Sequence, residues 1–210
     1  PVEHSRFYFN GTVTVGYKSG TAVTDSTSNI YFVSDNGNWN APTFNTRGTV
    51  NWLPTNSSFY FGTVYTSWIS TNYTTLNSAI TGLTIGRDRG TNSYNHNAII
   101  NTLVNINGPV KIYGGWITLN NESGIISGTS TANSGSILLK AAHGIYLGVP
   151  VTLKTYGQDI ILWANSDNLD TNSGSDGRIA IYGYCAGCVG SKRTLIDSTT
   201  GAALQTNSTY

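Results

Sequence analysis

The chain has 210 residues, of which 10% are charged, and a formal net charge of +1, so it lacks the basic excess with which nucleic-acid-binding proteins neutralise phosphates. Hydrophobic residues make up 39% of the sequence and include 13 Tyr, 6 Phe and 5 Trp, a content that argues against intrinsic disorder. No apolar run approaches the roughly 20 residues that a membrane-spanning helix requires, so we expect no membrane insertion.

Residues 1–80 carry short aromatic and β-branched segments separated by Asn, Gly, Asp and Ser, such as FYF at 7–9 and IYFV at 30–33. This pattern predicts β-strands and turns. The spacing fits irregular coils of a repeat array or a small β-sandwich. We favour the first, because terminal repeats are atypical and cover an open edge. We therefore interpret residues 1–80 as an irregular β region or N-terminal cap.

Four-residue apolar words recur in the next segment, 81–184: VKIY at 110–113, ILLK at 137–140, IILW at 160–163 and IAIY at 179–182. Their starts lie 27, 23 and 19 residues apart, with two shorter strand segments between successive words up to the third. Such spacing is typical of a parallel β-helix, or β-solenoid, in which each coil of three short strands stacks on the coil before. The pattern predicts an all-β fold with Ile112, Leu138 and Ile161 inside.

The aromatic residues that end these words have two interpretations. Tyr113 and Trp163 occupy equivalent positions, and Tyr182 continues the series. In the structural interpretation these side chains form a stacked ladder, and Trp163 lies in the core. In the functional interpretation they form an exposed platform on which sugar rings stack, since amphipathic aromatic side chains suit such surfaces. The sequence leaves this choice open for Trp39, Trp52, Trp68 and Trp116.

A polar loop at 165–177 contains Asp167, Asp170, Asn172 and Asp176. Calcium takes about six to eight oxygen ligands from flexible loops, so these residues are a candidate calcium site. Their spacing matches neither the EF-hand loop nor the calcium-binding nonapeptide repeat, and Asx-rich turns are equally typical of solvated loops. Calcium is the only metal or cofactor that the sequence suggests.

The chain contains two cysteines, Cys185 and Cys188. A redox dithiol would need the first of them at a helix N-terminus, and a zinc site would need two further ligands from three distant histidines. A local disulfide is the expectation for a secreted chain. We interpret residues 185–210 as a C-terminal tail or the start of a further coil.

Catalytic motifs are absent from the sequence, which has neither a phosphate-binding loop nor a nucleophile elbow nor a supported Ser-His-Asp order. Asp159, Asp176 and Arg178 could meet near one edge of the coils, as the carboxylates and bases of polysaccharide-cleaving β-helices do. We assign no catalytic residue and expect the chain not to be an enzyme.

The order of five segments resembles the repeats of very large surface adhesins of gliding and biofilm-forming Bacteroidetes, proteins similar to filamentous haemagglutinin: LTIG at 83–86, GPVKIYGG at 108–115, ITLN at 117–120, ILLKA at 137–141 and DIILWANSD at 159–167. The resemblance covers roughly residues 80–182. It implies a right-handed parallel β-helix, secretion to the cell surface, and attachment to surfaces or polysaccharides. No catalytic residue belongs to the shared pattern.

These observations together predict an extracellular adhesin segment that presents a polar surface to glycans or other surfaces. Further copies of the chain, joined end to end, are a second expected partner. Two alternatives stay open: a carbohydrate-active β-helix enzyme resembling polysaccharide lyases or hydrolases, and a structural spacer or extracellular filament subunit. A converging carboxylate cleft would indicate the enzyme, and an exposed aromatic groove would indicate the binding protein.

Overall fold

The computed structural model describes residues 6–14, 17–18, 21–22, 27–33, 36–53, 75–76, 79–88, 97–120, 122–148, 150–164, 166, 179–181, 194–196 and 203–205. All secondary-structure elements in these ranges are β-strands, so the predicted all-β class is confirmed. In chain order they are β1 (Arg6–Thr14), β2 (Tyr17–Lys18), β3 (Thr21–Ala22), β4 (Ile30–Phe32), β5 (Asn36–Asn45), β6 (Thr49–Trp52), β7 (Thr75–Leu76), β8 (Gly82–Ile85), β9 (Ala98–Ile100), β10 (Leu103–Ile106), β11 (Gly108–Leu119), β12 (Gly124–Ser127), β13 (Ser134–Leu147), β14 (Thr152–Lys154), β15 (Ile160–Trp163), β16 (Ile179–Ile181), β17 (Thr194–Ile196) and β18 (Ala203–Gln205). Among the described residues there is no helix long and apolar enough to cross a membrane.

Parallel pairing dominates the described sheets. The largest sheet has the order β4-β6-β8-β11-β13-β15, with β9 beside the second half of β11 and β16 beside the second half of β13. A second sheet has the order β10-β12-β14-β17-β18, and a third has the order β1-β5-β7. Only the pairs β2-β3 and β17-β18 are antiparallel in the described part. Strands β6 and β8 pair across residue 80, where the division into domains remains a prediction.

From β8 onward the chain returns in turn to the same three strand positions. β8, β9 and β10 are followed by the first half of β11, its second half and β12, and then by the two halves of β13 and β14. Each new strand pairs in parallel with the strand that preceded it at the same place. Parallel neighbours need a crossover connection, and here the crossover consists of further strands.

The strand register confirms the predicted alignment of the first three apolar segments and corrects that of the fourth. Val110, Ile137 and Ile160 are direct neighbours across β11, β13 and β15, as their spacing predicts. Ile179, however, pairs with Ile145 in the second half of β13 and does not continue from β15. The described residues 179–181 therefore do not continue the column of β15, and Tyr182 itself lies outside the described residues.

Two columns of inward side chains form the centre of the core on the largest sheet. Because side chains alternate between the faces of a strand, residues two apart point the same way. The first column comprises Ile30, Val50, Leu83, Val110, Ile137 and Ile160, and the second comprises Phe32, Trp52, Ile85, Ile112, Leu139 and Leu162. All are buried except Ile160 and Leu162, which are partly buried and pack against the same cluster.

The expected inward set was wrong at two of three positions. Ile112 is fully buried, but Leu138 is only partly buried and Ile161 is 44% exposed. The register pairs Ile112 with Leu139, so Leu138 and Ile161 belong to the outward column. A shift of one residue moves a strand's side chains to the opposite face. Words with consecutive apolar residues, such as ILLK and IILW, do not reveal that shift.

Backbones of successive coils approach closely at Gly108. Its φ is +99°, a conformation that residues with a Cβ rarely adopt, and an added Cβ would lie 2.1 Å from the Thr81 carbonyl oxygen. Glycine at this position therefore permits the turn into β11.

Candidate ligand-binding surface

Long connections leave the largest sheet at a common edge. β6 and β8 end at the register neighbours Trp52 and Ile85, and β15 ends within one residue of the same level, at Trp163. The next described strands in the chain begin at Thr75, Ala98 and Ile179, respectively. Connections placed by a rigid scaffold frequently carry binding residues, which directs attention to the outward side chains at this edge.

β11 and β13 cross this edge without leaving the sheet. Their pairing contains an irregularity between Gly114 and Trp116, and the neighbouring Gly115, Ala141 and Ala142 are also small and buried. Irregularities of this kind bend a strand and redirect its side chains. Outward residues before the bend form one group, which we call the lysine cluster, and those after it form a second group, the aromatic cluster.

The lysine cluster consists of Asp88, Tyr113, Lys140 and Trp163. Tyr113, Lys140 and Trp163 are direct register neighbours on β11, β13 and β15. Lys140 is only 4% exposed, although it carries a charge. Its Nζ lies 2.8 Å from Asp88 Oδ1 and 4.5 Å from the centre of the Trp163 ring. A buried charge is costly unless it is paired, and the carboxylate and the indole together supply this compensation.

Asp88 reaches Lys140 from outside the sheet. It belongs to the connection that follows β8, and 52% of its side chain is exposed. The ion pair therefore has its carboxylate end at the boundary with water, while its buried ammonium end needs an anionic partner. Asp88 also influences Tyr113 electrostatically.

Tyr113 is buried on the outer side of the sheet and packs with Ala142 and the partly buried Leu138, in a cluster separate from the main core. Burial, and secondly the negative charge of Asp88, raises the pKa of the Tyr113 hydroxyl above its ordinary value. The hydroxyl is therefore protonated at neutral pH, the state in which it can donate a hydrogen bond.

Trp163 is 48% exposed, so its expected place in the core was wrong. In β15 the residues Ile160 and Leu162 pack against the core, and alternation places Ile161 and Trp163 outward. The predicted equivalence of Tyr113 and Trp163 is confirmed, because both flank Lys140 in one outward column.

The aromatic cluster consists of Trp116, His143 and Tyr146, all partly buried. The Trp116 ring centre lies 5.2 Å from that of Tyr146, with the planes at 29°, and 5.4 Å from that of His143. Trp116 is the register neighbour of Gly144, so no opposing side chain separates its ring from the other two. Its strand neighbour Ile117 is fully buried, so Trp116 faces outward.

The cluster is held on a fixed backbone. Trp116 N donates a 3.0 Å hydrogen bond to Asn97 Oδ1, which connects β11 to the residue before β9. Ile117 and Ile145 anchor the two strands in the core from the opposite face. The rings are thus positioned before any ligand arrives, which lowers the entropic cost of binding.

The remaining predicted site residues lie outside the described residues: Asp167, Asp170, Asn172, Asp176, Cys185 and Cys188. The calcium site and the disulfide therefore remain predictions. Ser166, which precedes the loop's first aspartate, donates from its backbone N to the Ala141 carbonyl at 2.9 Å. Its buried Oγ has no hydrogen-bond partner in the structure described. The described ranges contain no group of three His, Cys, Asp or Glu side chains able to hold a metal ion.

Lys140 and Asp88 were not foreseen as site residues. The alignment of VKIY, ILLK and IILW places Lys140 between Tyr113 and Trp163, so a signal for the column existed in the sequence. The sequence carried no signal for the ion pair, because Asp88 and Lys140 lie 52 positions apart.

Comparison of the chain with protein-family models, with curated proteins and with solved structures found no match.

Proposed function

We propose that the chain is an extracellular adhesin segment, folded as a right-handed parallel β-helix, which binds glycans through the aromatic cluster. The cyclic return of the chain to three strand positions supports the β-helix. The right hand follows from the general rule that crossovers between parallel strands of one sheet are right-handed in about 98% of cases.

The observation that carries the function is the partly exposed group of three contacting rings on a strand-backed outer surface. Sugar rings present apolar C–H faces together with polar hydroxyls, and amphipathic aromatic side chains match both properties. In a protein with a formal net charge of only +1, such a surface favours glycans over nucleic acids.

Attachment through a surface of this kind depends on repetition. One cluster of three rings provides a modest affinity, and display of several chains on one surface multiplies it through effective concentration. End-to-end copies of the chain and calcium binding at Asp167, Asp170, Asn172 and Asp176 belong to the same proposal, because both would extend or stiffen the presented surface.

Glycan retention by paired variants tests the proposal. Affinity electrophoresis in neutral and acidic polysaccharides would compare Tyr146→Ala with Tyr31→Ala. Tyr31 is a matched control, since it is an outward tyrosine, 60% exposed, on the edge strand β4. Removal of a stacking ring costs about 1 kcal/mol, so we expect roughly fivefold weaker retention for Tyr146→Ala and no change for Tyr31→Ala. Equal retention of both variants would refute the role of the cluster.

The same gels distinguish the alternative classes. Each incubation is run with and without calcium, and new reducing ends are measured afterwards. Sustained formation of chain ends that Asp176→Ala abolishes would replace the adhesin with an enzyme, because loss of one catalytic group collapses activity. Absence of both retention and cleavage would favour the spacer or filament subunit.

A further inference from the structure

We infer that the lysine cluster is a subsite for the carboxylate of an acidic sugar, and that Asp88 occupies the place of this carboxylate when no ligand is bound. The inference rests on the proposed glycan-binding function and assigns the class of sugar. Its basis is the combination of a buried cation, a partner that comes from a connection, and a half-exposed ring beside them.

The cation is fixed while its partner is not part of the sheet. Lys140 lies in the middle of β13, between β11 and β15, and its side chain is only 5% exposed. Asp88 lies in the connection that follows β8, and about half of its side chain is in water. Another carboxylate can therefore take its place on Lys140 without altering any strand pairing, and the charge balance around the ammonium stays the same.

Trp163 supplies the second requirement for a sugar. Its ring lies 4.5 Å from the Lys140 ammonium and 48% of the residue is exposed. A uronic acid carries its carboxylate directly on the pyranose ring. One residue of such a polysaccharide can place its C–H face on the indole and its carboxylate on the ammonium at the same time.

A carboxylate fits this position better than a sulfate ester. The position already holds a planar group with two oxygens from Asp88, at 2.8 Å from the ammonium. A tetrahedral sulfate would need room for a third oxygen, and in the described residues Lys140 is the one cation seen in this cluster.

The test uses the full chain and two oligosaccharide series, cello-oligosaccharides and their C6-oxidised glucuronate counterparts. Binding is followed by intrinsic tryptophan fluorescence and by calorimetry. Asp88→Asn removes the competing charge but keeps a hydrogen-bond acceptor of the same shape. If Asp88 fills the subsite most of the time, the variant should bind the glucuronate series about threefold more tightly or better, and the neutral series unchanged.

Lys140→Gln should weaken glucuronate binding about tenfold and leave neutral binding intact. Lys154→Gln is the matched control, because Lys154 also lies 4.5 Å over an aromatic ring, that of Tyr156, but on β14 of the other sheet. The part of the fluorescence change that only the glucuronate series produces should disappear in Trp163→Phe. Circular dichroism verifies that each variant is folded, and Asp88→Asn decides the matter should Lys140→Gln fail to fold.

Outcomes separate this inference from the proposed function. Equal affinity of the wild type and Asp88→Asn for glucuronate, with neutral binding still weakened in Tyr146→Ala, would overturn the subsite and keep the adhesin. Sulfated cello-oligosaccharides provide a further comparison. If Asp88→Asn raises their affinity as much as it raises that of the glucuronate series, the choice of a carboxylate is overturned. Failure of the wild type to bind any series would overturn the function and the subsite together.

Discussion

Two isoleucines in the same sheet should lose very different amounts of stability on the same substitution. Ile112 is fully buried between Ile85 and Leu139, whereas Ile161 is 44% exposed on the outward face of β15. Ile112→Ala removes three buried carbons, worth about 0.8 kcal/mol each, and leaves a cavity that adds about 1 kcal/mol. We expect the free energy of unfolding to fall by about 3 to 4 kcal/mol.

Ile161→Ala should cost less than about 1 kcal/mol, because almost half of the side chain already contacts water. Thermal unfolding followed by circular dichroism compares both variants with the parent chain. For a chain of this length about 3 kcal/mol corresponds to a midpoint lower by roughly 6 to 12 °C. Similar losses for the two variants would show that the register between β13 and β15 is wrong by one residue.

Four further changes have defined outcomes. Gly86→Ala forces a Cβ to 2.3 Å from the Tyr113 carbonyl oxygen at a φ of +80° and should cost about 1 to 3 kcal/mol by denaturant titration; a loss below about 0.5 kcal/mol would contradict this. Tyr113 has a raised pKa, so its contribution to stability is complete below about pH 10 and is lost above it; the melting temperature of the wild type should fall toward that of Tyr113→Phe as the pH rises, and a constant difference would be contrary. Glu122 has a φ of 63°, so Glu122→Gly should gain about 0.5 to 1 kcal/mol, and a destabilised variant would argue against strain there. Cys185 and Cys188 should be joined in a protein purified in air; mass spectrometry that finds both thiols free would end that expectation.

Much of the parallel architecture was accessible from the sequence, because repeated apolar words report which segments stack. Val110, Ile137 and Ile160 were aligned correctly from spacing alone. The sequence did not reveal which residues of each apolar segment point into the core. ILLK and IILW contain adjacent apolar residues, and both alternations fit a strand whose outer side is also partly covered.

The candidate surface was less predictable for a different reason. Trp116 was recognised as an ambiguous aromatic residue, and only its alternation with the buried Ile117 places it outward. The Asp88 and Lys140 pair joins a connection to a strand two positions away in the sheet. Contacts of this kind depend on how strands stack, and a single sequence carries no local pattern for them.

The common edge at which chain segments leave the largest sheet also sets where this protein can change in length. Extra residues inserted directly after Trp52, Ile85 or Trp163, where these strands end, add loop-closure entropy, which costs only about 0.6 kcal/mol for each doubling of a segment's length. One extra residue inside β11 would reverse the alternation of Ile112 and its partners across the core. New sequence is therefore tolerated where these strands end and rejected within the ladder, so residues beside the proposed ligand-binding surface can diverge among descendants of this chain, or be grafted by design, while the scaffold stays constant.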